Sequence, residues 1–185
     1  MRQSKVTRFK AGRVMKRLWF LGESAVLFGA DQLMKTYVEQ NLDRGEEKKL
    51  TDRIVLRRVH NKGLCLNLLD KEPGLVKYLS LFSASVLTFV YAVSLARRKG
   101  FWRKKGLALM AAGAWSNTFD RCARGHVVDY IGFCSENKRI SDVTYNLGDF
   151  FLAAGGGIAL LASVFRSDIR SGKESREKHT EEKTE

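Results

Sequence analysis

The chain has 185 residues, 44% of them hydrophobic, with a formal net charge of +13, three cysteines and one proline. That length fits one domain. An odd cysteine count (Cys65, Cys122, Cys134) with no Cys-x-x-Cys pair gives neither a disulfide framework nor a cysteine zinc site.

The positive charge sits in blocks. Arg2, Lys5, Arg8, Lys10, Arg13, Lys16 and Arg17 form one acid-free block, and Arg97, Arg98, Lys99, Arg103, Lys104 and Lys105 form another. Basic blocks alternating with apolar segments follow the positive-inside pattern of membrane proteins. A nucleic-acid binder carries its charge as a stripe on a folded face, interleaved with aromatics, so nucleic acid is not the expected partner.

In chain order, residues 1–17 are read as a basic cytoplasmic segment, 18–166 as a four-span membrane domain, and 167–185 as a charged cytoplasmic tail, disordered or loosely helical. The first span is expected from Leu18 to Val38, interrupted by Glu23 and Asp31. No small-x-small cleavage site follows it, so the segment is expected to remain as an anchor. The connection from Glu39 to Pro73 contains Arg53-Ile-Val-Leu-Arg-Arg-Val-His60, whose β-branched residues and partial alternation predict a strand or hairpin. The second span runs from Leu75 to Ala96, the third from Gly106 to Phe119, and the fourth from Leu147 to Phe165. Spans two and four meet the length of about twenty apolar residues needed to cross a bilayer. Spans one and three meet it only if their polar residues face the bundle interior. The fold class is therefore all-α, with four transmembrane helices and a small extracytoplasmic β-rich region between helices 1 and 2. The three basic loci fall on one side of such a protein. Both termini are then cytoplasmic, and both long connections lie outside.

That topology sends Asp129 and Asp149 to the same outer face, at the ends of spans three and four. Ionised carboxylates beside hydrocarbon are costly and usually functional. Two held close share one proton, an arrangement that activates water. The alternative is a pair of interfacial carboxylates that merely terminate helices. The three histidines show no ligand spacing, so no metal or other cofactor is expected.

The blocks Gly113-Ala-Trp-Ser-Asn117-Thr-Phe-Asp120-Arg121, Gly125-His-Val-Val-Asp129-Tyr and Tyr145-Asn146-Leu-Gly-Asp149 follow Asp31-Gln-Leu-Met-Lys35 and Asn61-Lys-Gly63 in order. This ordered set resembles the lipoprotein signal peptidase (signal peptidase II) family, from about Leu18 to Phe165. The resemblance implies a multi-pass aspartyl endopeptidase of the bacterial cell membrane, acting as a monomer among membrane lipids. Its substrate would be a lipid-modified prolipoprotein, cut before the diacylglyceryl cysteine. Asp129 and Asp149 would be the catalytic pair. Asn61, Asn117 and Asn146 would orient the carboxylates or the substrate backbone. Gly63, Arg121, Asp31 and Lys35 would support the site. Asp120-Arg121 reads either as part of the site or as an ion pair capping span three, and Asp31 either as a site residue or as an interior polar contact. Lys62, Leu64-Cys65-Leu66, Trp115-Ser116, Tyr145 and Gly148 depart from the usual pattern along the expected substrate path. A membrane paralogue that binds lipoproteins without cutting them, or a small scaffold or transport bundle, is the reading from a different class.

Overall fold

The computed structural model describes residues 2–64 and 69–181. Cys65 and Leu66 of the departing stretch lie outside the described residues. The element order is α1 (Arg2–Asn41), β1 (Glu47–Lys49), β2 (Ile54–Asn61), α2 (Pro73–Ala96), α3 (Phe101–Ala123), β3 (Val127–Phe133), a short α4 (Lys138–Ser141), β4 (Thr144–Tyr145) and α5 (Leu147–Glu181). Four long helices and a small antiparallel sheet thus make a mostly helical protein.

Local signals fix the helix limits. Pro73 stands at the start of α2, where its missing N–H costs nothing. Gly125, at φ +78°, takes the left-handed conformation that ends α3 and sends the chain into β3. Among the described residues, two helical stretches are long and apolar enough to cross a membrane: Pro73–Ala96 and Leu147–Phe165. Their apolar side chains point outward, with Phe82 69%, Phe89 70% and Leu160 65% exposed. A continuous surface of that kind is stable against hydrocarbon rather than water. α1 and α3 are less apolar because they carry Asp31, Lys35, Asn117 and Asp120, all buried.

α3 is the central helix and meets α5 backbone to backbone. A Cβ on Gly106 would lie 2.6 Å from the Gly155 carbonyl oxygen, and one on Gly113 would lie 2.2 Å from that of Gly148. Small residues let membrane helices approach this closely. One apolar cluster (Phe20, Tyr91, Leu95, Leu107, Ala108, Ala111) joins α1, α2 and α3. A second (Val38, Leu42, Leu56, Val128, Tyr130) seats the sheet on the end of α1.

The sheet has the order β1-β2-β3-β4, all antiparallel. It is wider than the hairpin expected between helices 1 and 2, because half its strands come from the connection after α3. A two-stranded ribbon is marginal alone, and the β-branched run Val127-Val128 supplies the strand that pairs with β2. One expectation is corrected here. Asp129 sits within β3 and not at the end of a helix. It lies opposite Val59, while Asn61 lies opposite Val127.

The α3–α5 contact generates a test. Gly113→Ala places a methyl group against the Gly148 carbonyl, and overpacking of this kind costs about 1–3 kcal/mol. The expected outcome is a clear drop in thermal midpoint in detergent, with a larger loss of activity than an Ala substitution at Gly156, where a Cβ meets nothing within 4 Å.

Candidate active site

Asn146, immediately before α5, organises the site. Its side-chain Oδ1 accepts from the Asp149 backbone N–H at 3.0 Å, and its own N–H donates to Asp149 Oδ2 at 3.0 Å. This is a reciprocal capping box built from Asn and Asp, and it satisfies two of the orphan donors at the helix start. The remaining group of Asn146, Nδ2, donates to Asp129 Oδ1 at 2.6 Å. One asparagine therefore fixes both carboxylates at once. Asn61 Nδ2 reaches the other oxygen of Asp129 at 3.1 Å, and Asn117 Nδ2 reaches Asp149 Oδ1 at 2.9 Å. The two aspartates come from β3 and α5, and the three asparagines from β2, α3 and the turn before α5.

Beneath the pair lies a buried ion cluster. Lys35 Nζ is 2.9 Å from Asp31 Oδ2 and 3.0 Å from Asp120 Oδ2, and all three side chains are 0% exposed. Lys35 also donates to Asn117 Oδ1 at 2.8 Å, which presents the Asn117 amide group to Asp149. Asp31 accepts from Ser116 Oγ at 2.6 Å and from the Tyr130 hydroxyl at 2.8 Å. Tyr130 in turn accepts from the Leu147 N–H at 3.2 Å. Asp120 accepts from the Val128 N–H at 3.2 Å and from Gln32 Nε2 at 3.1 Å, and it pairs with Arg124. Each charge of this cluster is thus both paired and hydrogen-bonded, which is what makes such burial tolerable.

Of the residues singled out in the sequence, Asn61, Asn117 and Asn146 touch the carboxylates directly. Asp31, Lys35 and Asp120 lie one layer below. Asp120 forms its ion pairs with Lys35 and with Arg124, one helical turn on, because neighbours at i and i+4 share a helix face. Arg121 instead holds the Gly63 carbonyl at 2.8 Å and the Asn117 carbonyl at 3.3 Å, tying the loop after β2 to α3. Gly63 N–H donates to Asn61 Oδ1 at 3.0 Å, so that loop also orients Asn61. Trp115 turns away and donates to Thr88 of α2 at 2.8 Å. Ser116, Tyr130, Gln32 and Arg124 are supporting residues that sequence reasoning passed over. Gln32, Ser116 and Tyr130 stood inside the quoted blocks without being given this supporting role, and Arg124 stood outside them.

Burial, and then the neighbouring Asp149 charge, push the Asp129 carboxyl up from 3.8 to about 7, against the opposing pull of Asn146, Asn61 and Lys35. At neutral pH the pair therefore holds a proton that is readily exchanged. Two carboxyls so placed, with both flanks fixed by amides, form the arrangement that activates water and polarises a carbonyl.

Comparison with known proteins identifies the family. The signature of the Signal peptidase (SPase) II family, Peptidase_A8, matches residues 24–165. The chain belongs to the signal peptidase II family. Membership makes it an aspartic-type peptidase of lipoprotein processing and a bacterial membrane protein. A lipoprotein signal peptidase of Nostoc punctiforme is 29% identical over 163 residues, covering 87% of this chain and 98% of the relative. One from Streptococcus pneumoniae is 30% identical, covering 78% of this chain and 90% of the relative. One from Brucella ovis is 31% identical, covering 71% and 80%. A bacterial membrane enzyme solved by the in meso method at 2.3 Å shares the fold, with a TM-score of 0.70 at 16% identity, covering 80% of this chain and 88% of that one.

Two outcomes follow. Lys35→Met leaves the buried Asp31 carboxylate without a counter-charge and Asp120 with Arg124 alone, a change that costs about 3–5 kcal/mol. The variant is expected to be lost from the folded fraction in detergent, as read by thermal unfolding. The raised Asp129 value also has a sign. Between pH 4 and 7 the folded protein keeps a proton that the unfolded chain releases, so this group favours folding at acid pH, and the contribution is lost as pH rises through about 7. Asp129→Asn should flatten the dependence of thermal midpoint on pH across that window relative to the parent.

Proposed function

We propose that Asp129 and Asp149 are the catalytic dyad with which this membrane peptidase cuts lipid-modified prolipoproteins, immediately before the modified cysteine. The observation that carries the reading is Asn146, one residue that holds both carboxylates, Asp129 through its side-chain Nδ2 and Asp149 through its backbone N–H. Asp149 lies in the first turn of α5, where the helix dipole favours negative charge, and it accepts from a backbone N–H. It is assigned as the general base. Asp129, raised to about 7, carries the shared proton. Water held between them loses a proton to Asp149 and attacks the scissile carbonyl carbon, while Asp129 donates its proton toward the carbonyl oxygen. On collapse, Asp149 delivers its proton to the leaving amine while a hydroxyl of the gem-diol returns its proton to Asp129, so the carboxyl product forms and the dyad again holds one shared proton. Asn61 and Asn117 restrain the outer oxygens, and Arg121 positions the loop from Asn61 to Gly63 beside the substrate path.

The same reading sets the topology as four spans, with the cytoplasmic halves of α1 and α3 completing the bundle. Arg17 bonds the carbonyls of Leu95 and Ala96 at 3.1 and 3.3 Å, and Lys104 bonds that of Arg97 at 2.6 Å. The basic blocks thus gather at one end, where Trp19, Phe20, Phe101 and Trp102 form an interfacial aromatic cluster with Lys105 4.8 Å from the Trp19 ring. The dyad lies near the other end, beside the sheet, which is the outer face under the positive-inside rule.

In detergent with a diacylglyceryl-modified precursor, Asp129→Asn and Asp149→Asn are each expected to lower cleavage by about a thousandfold or more, as removal of an essential catalytic group does. At neutral pH the thermal midpoint of Asp149→Asn should remain close to the parent's, and that of Asp129→Asn should not fall below it. Parent-like cleavage by either variant overturns the dyad and favours a non-catalytic lipoprotein-binding bundle. Equal cleavage of unmodified precursor overturns the lipid-specific substrate.

A further inference from the structure

Side chains alternate across a strand, so His60 and the nearby His126 project from the side of β2–β3 opposite to Asn61 and Asp129. There they meet Glu39 near the end of α1. The two imidazoles are stacked, with centroids 3.8 Å apart and planes 29° apart. Both present an edge to the same oxygen: Glu39 Oε1 is 2.5 Å from His60 Nε2 and 3.8 Å from His126 Nε2. His126 Nε2 is buried and has no hydrogen-bond partner among the described residues. A buried ring nitrogen without a partner needs an explanation. We propose that Glu39, His60 and His126 form a binding site for a divalent d-block cation of the zinc class.

The donor set and its dimensions fit. Two imidazoles and a carboxylate are a recurrent zinc set, leaving a fourth position for water. The three ligand atoms lie within 4.8 Å of one another. A tetrahedral zinc with bonds of about 2.0–2.1 Å holds its ligands about 3.3 Å apart. The Glu39–His126 separation must therefore close, and the Glu39–His60 separation open, by less than about 1 Å, and the two histidine nitrogens, within 4.8 Å of each other, approach by at most about 1.5 Å through small side-chain rotations. The side chains remain 19% to 27% exposed, which gives the ion a way in. Arg44 Nη2 lies 3.1 Å from His60 Nδ1, so the His60 proton now sits on Nε2 and is shared with Glu39. On binding, that proton moves to Nδ1, Nε2 becomes the ligand, and the exposed Arg44 turns toward solvent. The ligands lie at positions 39, 60 and 126, so no sequence spacing marks the site. Occupied, it would clamp α1 to the two strands that carry Asn61 and Asp129.

The test uses the full chain in detergent, freed of metal with a chelator and titrated with Co2+. One equivalent is expected to bind and produce visible d–d bands, which Zn2+ then abolishes. Glu39→Gln keeps a hydrogen bond to His60 but loses the charge, and should weaken binding by about tenfold or more. His126→Gln should remove the bands while the protein keeps its cleavage activity. No stoichiometric binding by the parent chain overturns the proposal. Bands that persist in His126→Gln place the metal elsewhere, for instance at His179, and overturn it as well.

Discussion

The buried ammonium of Lys35 is the constraint on which the rest is arranged. It lies between two carboxylates that have no access to water, Asp31 on its own helix and Asp120 on α3. Removing water from three charges is expensive unless the geometry is complete. The protein completes it with groups from every neighbouring element: Ser116 from α3, Tyr130 and the Val128 N–H from β3, and Gln32 from α1. These bonds fix the rotation of α1 against α3 and the height of the sheet above them. Asn117 then passes the arrangement on to Asp149. The aspartate pair is placed by a network that is itself held in place by electroneutrality.

Much of this was legible in the sequence, and the reasons differ by residue. The stretches Pro73–Ala96 and Leu147–Phe165 were visible because they face outward and are apolar over most of their length. The limits of α1 were less visible because its interior face carries Asp31 and Lys35, which lower its apparent hydrophobicity. The asparagines were found through the ordered blocks that carry them. Ser116 and Tyr130 stand in the same blocks, but their roles come from contacts with Asp31, far along the chain, and Arg124 lies just outside the blocks. The sheet was half-read for the same reason. The β-branched run before His60 announced β2, but its partner β3 arrives after two intervening helices, and strand pairing over that distance leaves no local trace. Asp129 was therefore expected at a helix end when it belongs to a strand. The metal-type cluster of Glu39, His60 and His126 was equally hidden.

Placing one carboxylate on a strand and the other on a helix has its own logic. β3 is held on both sides by β2 and β4, so Asp129 moves only with the sheet. Asp149 sits on the first turn of α5, whose distance from α3 is set by glycine contacts that admit no Cβ. Rigid elements hold a site more closely than loops do. The loop from Asn61 to Gly63, tied by Arg121, is the adaptable wall between them.

The capping asparagine has one more consequence. Because Asn146 holds the first turn of α5 and both carboxylates through the same few bonds, unwinding that turn dismantles the site without disturbing the helices below it. The site is therefore as stable as that one turn, and the backbone contact of Gly148 with Gly113 keeps the turn wound, so the packing that joins α3 to α5 also protects the chemistry.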